Sequence, residues 1–202
     1  MKKVFFIFAM MCLFLANVSA QDSFSVKPDG VSDANGNNFI VIAVDGLQAD
    51  KIKSGLVTAI KSKNLSSSLK IDEPDSNTLI VSDKIAGFTK TDKSAGSAYT
   101  FDLLYSIIFN IKDGKVKYNV PTFEMASDQQ YNSHTSILSN GIRFKMIMGI
   151  KGKDDVWNSK EKKYFIYNEK DKLIEKSTKE KLETLFNSYI PIVQSISKSQ
   201  DW

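Results

Sequence analysis

Cysteine, histidine and arginine are nearly missing from this chain of 202 residues, which has one Cys, one His and, in Arg143, a lone arginine. Cys12 sits in an N-terminal segment predicted to be removed, so what remains is expected to have no disulfide, thiol nucleophile or thiolate metal site. One imidazole without a thiol also excludes the common zinc sites, and no metal or other cofactor is expected. There is no glycine loop to cradle phosphate and no nucleophile elbow. The formal charge is +4, and it falls by two with loss of Lys2 and Lys3. Cations that are almost all lysine, on a nearly neutral chain, describe a solvated surface and exclude a nucleic-acid footprint.

Long apolar runs are scarce too. The one near the start, in "MKKVFFIFAMMCLFLANVSA", follows two lysines and ends in short residues. This is the pattern of an export signal over residues 1–20, cleaved after Ala20. The run is shorter than the roughly 20 residues that span a bilayer, and no later segment approaches that length. The chain is therefore expected to be periplasmic or cell-surface, with no transmembrane segment after cleavage. Residues 21–38, rich in Asp, Ser, Gly and Asn, are expected as a flexible leader. Within it, "DANGNN" lacks the glycine and the bidentate acid of a calcium loop, so it reads as a turn.

From Phe39 onward the pattern is dense. "FIVIAV" predicts a strand covered on both faces. Ala49, Ile52, Leu56, Ala59 and Ile60 then form one helical stripe, with Asp50 in the first turn and Lys61 and Lys63 in the last. Gly55 within it costs about 1 kcal/mol relative to alanine, so packing must hold the helix. "SLKIDE" and "NTLIVSDKIAGF" predict two strands around Pro74-Asp75-Ser76.

"YTFDLLYSIIFNIKDGKVKYNVPTFE" predicts a hairpin turning at Asp113-Gly114. A two-residue loop sets Ile111 against Val116, Phe109 against Tyr118, Ile107 against Val120 and Tyr105 against Thr122, all on one face. Pro121 has no N–H to donate, so the ladder is expected to end or bulge near Val120. Ser177 and Glu180 predict a capping box opening a second helix along Leu182, Leu185, Phe186, Tyr189, Val193 and Ile196, with a kink or restart at Pro191.

The predicted order is strand, helix, four strands, helix. This is an α+β fold with an antiparallel sheet and two helices on one face, over residues 39–202. Residues 125–176 stand before the last helix as an insertion, with strands in "IRFKMIMGI" and "KYFIY".

Several stretches resemble a known family: "FIVIAVDGLQADKIKSGLVTAI", "KIDEPDSNTLIVSDKIAGF", "YSIIFNIKDGKVKYNV" and the final Asp201-Trp202. The resemblance is to a secreted domain of unknown function from Bacteroides-type bacteria, with a TATA-binding-protein-like fold. It covers Phe39 to Glu124 and the last helix, and 125–176 departs from it. It implies the same element order and brings no activity or catalytic residues. A fold does not carry its function with it, so nucleic acid is not an expected partner.

For chemistry, His134 lies among Ser133, Thr135, Ser136 and Asp128, and Asp72, Glu73, Asp75 and the pair Asp154, Asp155 cluster near turns. A hydrolase would need one of these sets in a concave site. The expected function is instead a non-enzymatic binding domain, contacting a protein, peptide or envelope component. Leu104 and Ile108 point away from the Phe109 side and, with Phe144, Met146 and Met148, are the candidate contact residues. Alternatively, the segment carrying Phe144, Met146, Met148 and Ile150 folds over that second face. Carriage of an apolar ligand between helices and sheet is a weaker option.

Overall fold

A computed structural model describes residues 22–63, 66–91, 98–130, 143–151 and 161–198. The expected signal segment, His134, Asp154, Asp155 and the closing Asp201-Trp202 lie outside the described residues.

The elements are β1 (Ser25–Lys27), β2 (Gly30–Ser32), β3 (Phe39–Ala43), α1 (Ala49–Lys63), β4 (Lys70–Asp75), β5 (Thr78–Lys90), β6 (Thr100–Lys112), β7 (Lys115–Asn119), β8 (Thr122–Gln130), β9 (Arg143–Lys151), β10 (Glu161–Tyr167), α2 (Lys176–Asn187) and α3 (Tyr189–Lys198). Strands β3 to β10 form one eight-stranded sheet, and β1 and β2 a separate hairpin. The class is α+β. Every pairing in the large sheet is antiparallel except β9 with β10, which is parallel.

The hairpin turns where the sequence places it. Phe109 faces Tyr118 and Ile111 faces Val116, all four fully buried. The ladder then breaks at Val120-Pro121, as the missing N–H requires. Beyond the break the register moves by one residue. Tyr105 therefore faces Phe123, not Thr122, and Leu103 faces Met125. This shift keeps Phe123 and Met125 on the apolar side, where an unbroken ladder would have exposed them.

The turn also anchors α1. The Asp113 carboxylate accepts from the Ala49 amide at 2.8 Å, satisfying one of the orphan donors at the helix start. The Gly114 amide donates to the Leu47 carbonyl at 2.9 Å, and Gly114 takes a φ of +72° that suits glycine. Along α1, Ile52, Leu56 and Ile60 are buried. A Cβ on Gly55 would lie 2.9 Å from Ile196 Cγ2. The glycine lets α1 and α3 approach closely, which is the packing its helical cost required.

The second helix departs from expectation at both ends. Its cap position is Glu175, with no side-chain capping bond, so the Ser177–Glu180 capping box does not form. Thr178 is turned inward, where its hydroxyl pairs with that of Thr89 at 2.8 Å. The restart comes at Ser188, between α2 and α3. Pro191 clashes with the carbonyl four residues earlier, so the helix breaks before it and the ring falls in a first turn, where no N–H is needed. At the break, the Tyr118 hydroxyl donates to the Phe186 carbonyl at 2.9 Å. Burial first, then the nearby phenols of Tyr189 and Tyr105, pushes the Tyr118 phenol well above its ordinary range, keeping it a neutral donor.

Residues 21–38 were expected as a flexible leader, but residues 24–38 are built into the fold. Phe24 and Val26 are buried, and the Phe24 ring meets Tyr118 edge-on at 5.0 Å. Side chains satisfy the outer backbone of β1. Asn187 receives the Phe24 amide at 2.7 Å and donates to the Phe24 carbonyl at 2.9 Å. Glu183 accepts from the Val26 amide at 2.8 Å, and the Tyr167 hydroxyl donates to the Val26 carbonyl at 2.8 Å. In "DANGNN", the Asp33 carboxylate accepts from the amides of Asn35 and Asn37 at 2.8 and 2.7 Å, forming a turn.

Within the segment 125–176, the described strands β8, β9 and β10 extend the main sheet in that order beyond β6.

Candidate functional site

The two faces of the sheet differ chemically. Alternation along β6 buries Phe101, Leu103, Tyr105, Ile107, Phe109 and Ile111 on the helix side. The intervening residues form the outer face, where Leu104 is 44% exposed and Ile108 40%. β3 obeys the same rule. Ile40 and Ile42 are buried while Val41 is 51% exposed. The strand is therefore covered on one face rather than both, because the described helices pack on one side.

Polar rows separate these apolar side chains. The Asn119 amide donates to Asn110 Oδ1 at 2.8 Å and to the Ile108 carbonyl at 2.9 Å. Ser82 Oγ donates to Ser106 Oγ at 3.1 Å. Ile108 faces Ile80 across β5, and Leu104 faces Lys84 on one side and Glu124 on the other.

Charge is segregated along the face. Lys112, Lys115 and Lys117 gather at the β3–β7 corner, where Lys112 faces Lys115 and Lys117 faces Val41. The Lys117 ammonium lies 4.3 Å from the centroid of the Phe39 ring. Towards β8, Lys84 pairs with Asp102 at 3.0 Å. The Gly87 amide, and then Lys84, hold the Asp102 carboxyl below its ordinary range.

Of the five predicted contact residues, Leu104 and Ile108 share the outer face of β6. Met148 is buried opposite Met125 on the helix side. Register places Met146 against Ser127 and Phe144 against Gln129, in the same row as Met148. A strand that joins the sheet edge alternates with it, so Met148 belongs to the other face and does not join the Leu104 side. Val41 lies in the half of the predicted Phe39–Val44 strand that points away from the helices, and sequence reading missed the Lys117–Phe39 contact. The hairpin register was the available signal, because it places Asn110 against Lys117 on the side opposite Phe109.

Two of the carboxylates flagged by sequence are engaged in structure. Glu73 pairs with Lys53 at 2.9 Å, and Asp75 accepts the Asn77 amide at 2.7 Å. Buried Asp83 accepts from Ser66 at 2.8 Å, from Ser68 at 2.6 Å and from the Lys84 amide at 2.7 Å. Among the described residues, no group of three or more His, Cys, Asp or Glu is placed to hold a metal ion. No described helix is long and apolar enough to cross a membrane.

No protein-family model matches the chain, and no curated protein matches it. Two solved structures are similar. One is a TBP-like protein from Parabacteroides distasonis, with 15% identity and a TM-score of 0.42 over 77% of this chain and 90% of that one. The other is a DUF4468 family protein from Bacteroides ovatus, with 14% identity and a TM-score of 0.43 over 81% of this chain and 86% of that one.

Proposed function

We propose that this chain is an exported, non-enzymatic binding domain whose outer sheet face contacts a protein, peptide or envelope component. The carrying observation is that face itself. Leu104, Ile108 and Val41 stand exposed among hydroxyl and amide groups that bond to each other across strands. Exposed apolar side chains framed by polar groups suit recognition. The lysine-led apolar start of the sequence supports export.

The reading is tested in the source organism with a photo-crosslinking residue at Leu104 or Ile108, and at exposed Lys61 on the helix side as control. A discrete adduct from the first two positions and not from Lys61 is expected. Equal labelling at all three positions, or none, overturns the reading. Export is checked separately on protein recovered from the envelope or medium, whose first residue should be Gln21.

A further inference from the structure

Among the described residues, strand β3 lies at a border of the sheet and pairs only with β7. The Val44 amide donates to the Gly114 carbonyl at 2.8 Å, and the Val120 amide to the Asn38 carbonyl at 2.9 Å. With Ile40 opposite Tyr118 and Ile42 opposite Val116, the even-numbered residues of β3 are those bonded to β7. Antiparallel alternation then turns the N–H and C=O groups of Phe39, Val41 and Ala43 towards the open side. Among the described residues, nothing pairs with them. The far border, β4, is defended by Pro74, a register break between Asp72 and Asp75, and the charges of Asp72, Glu73 and Asp75. "FIVIA" has no such guard, and an unguarded edge is a template for another strand.

Resting on the binding reading above, we infer that the open edge of β3 receives an extended acidic segment of another protein by strand addition. Residues of the incoming strand that lie opposite Phe39, Val41 and Ala43 share the outer face with them, next to the lysine corner. Strands are spaced about 4.8 Å apart, so Lys115 and Lys117, on β7, sit two spacings from the newcomer with β3 between them. Lys117 already crosses the first of these, its ammonium resting 4.3 Å from the Phe39 ring centroid on β3. Carboxylates on the outer side of the guest would therefore meet Lys117 and Lys115. Residues between them would lie beside buried Ile40 and Ile42, where α3 packs under β3, and should be apolar. Alternating acidic and apolar residues are the chemistry this edge selects. A second copy fits less well, because it would bring a second lysine corner towards the first.

The probe is a seven-residue peptide alternating glutamate and valine, added to the full chain and followed by amide exchange and titration. Protection of the Phe39, Val41 and Ala43 amides is expected, with affinity falling as salt screens the lysines. A lysine-for-glutamate peptide should bind at least about tenfold more weakly, and K117E should narrow that preference. A glutamate–valine peptide N-methylated on alternate amides should lose the protection. The inference is overturned if the three amides are protected without peptide in a concentration-dependent way, which means self-pairing. It is equally overturned if the peptide leaves them unprotected or binds irrespective of charge. The Leu104 and Ile108 crosslinks are read independently, so the edge can fail while the face reading stands.

Discussion

At the level of single residues, much of the fold is tied by side chains that reach distant backbone. Asp113 is the clearest case. It was legible as a turn residue, but its role as the cap of α1 was not, because Ala49 is 64 positions away. Asp113→Ala should cost about 1 kcal/mol, the usual value of a lost cap, and Asp113→Asn much less, as read by chemical denaturation. Glu183 makes a different prediction. Burial raises its carboxyl, but the bonds from Lys179, the Val26 amide and Ser25 outweigh that and leave it below the ordinary 4.5. A carboxyl lowered in the folded state adds stability above its unfolded value and loses it as pH falls through the folded one. Wild type should therefore exceed Glu183→Gln in stability at neutral pH, with the gap closing below pH 4.5. Amide exchange in β1 should report the same trend, and a gap that persists in acid would remove Glu183 as the hairpin's clasp.

At the level of elements, patterns governed by local chemistry were legible and those governed by contact were not. The hairpin register followed from turn length, and its interruption from the missing N–H of Pro121. The capping box satisfied every local rule and still failed. Thr178 finds a buried hydroxyl partner in Thr89, which no local rule contains. The leader was misread for a related reason. Its polar composition suits a loop, but Asn187 and Glu183, which hold its backbone, lie some 160 residues away.

Gly55 turns this interplay into a measurement. Overpacking costs about 1–3 kcal/mol, against roughly 1 kcal/mol gained in helix propensity, so Gly55→Ala should be neutral to destabilising. Ile196→Ala should itself cost about 2–5 kcal/mol, but it removes the Cγ2 that lies 2.9 Å from the added methyl. In that background Gly55→Ala should become stabilising by about 1 kcal/mol. A double-mutant cycle without this reversal would mean that the helix contact is looser than its geometry states.

At the level of the whole molecule, one sheet with all its helices on one side follows from how β6 is used. Its last residues pair with β7 and its first with β8 on the same edge, while β5 runs along the other. The break at Val120-Pro121 lets a single strand serve both arms. From sequence, the segment after Glu124 reads as an insertion with strands of its own, because nothing local states that β8 continues past the break and recruits β9 and β10. The candidate site was legible to the same extent: Leu104 and Ile108 follow from alternation on β6, whereas the side taken by Met148 depends on pairing across the sheet.

The asymmetry of the two faces predicts opposite costs for neighbouring residues. Leu103 is fully buried, so Leu103→Ala should lose about 2–5 kcal/mol. Leu104, 44% exposed, should tolerate replacement by threonine within about 0.5 kcal/mol. A large loss at Leu104 in the isolated protein would mean that its side chain serves the fold itself. Near-neutrality there, with the crosslink lost from Ile108 in the Leu104→Thr background, would separate what the outer face does for a partner from what the inner face does for the fold.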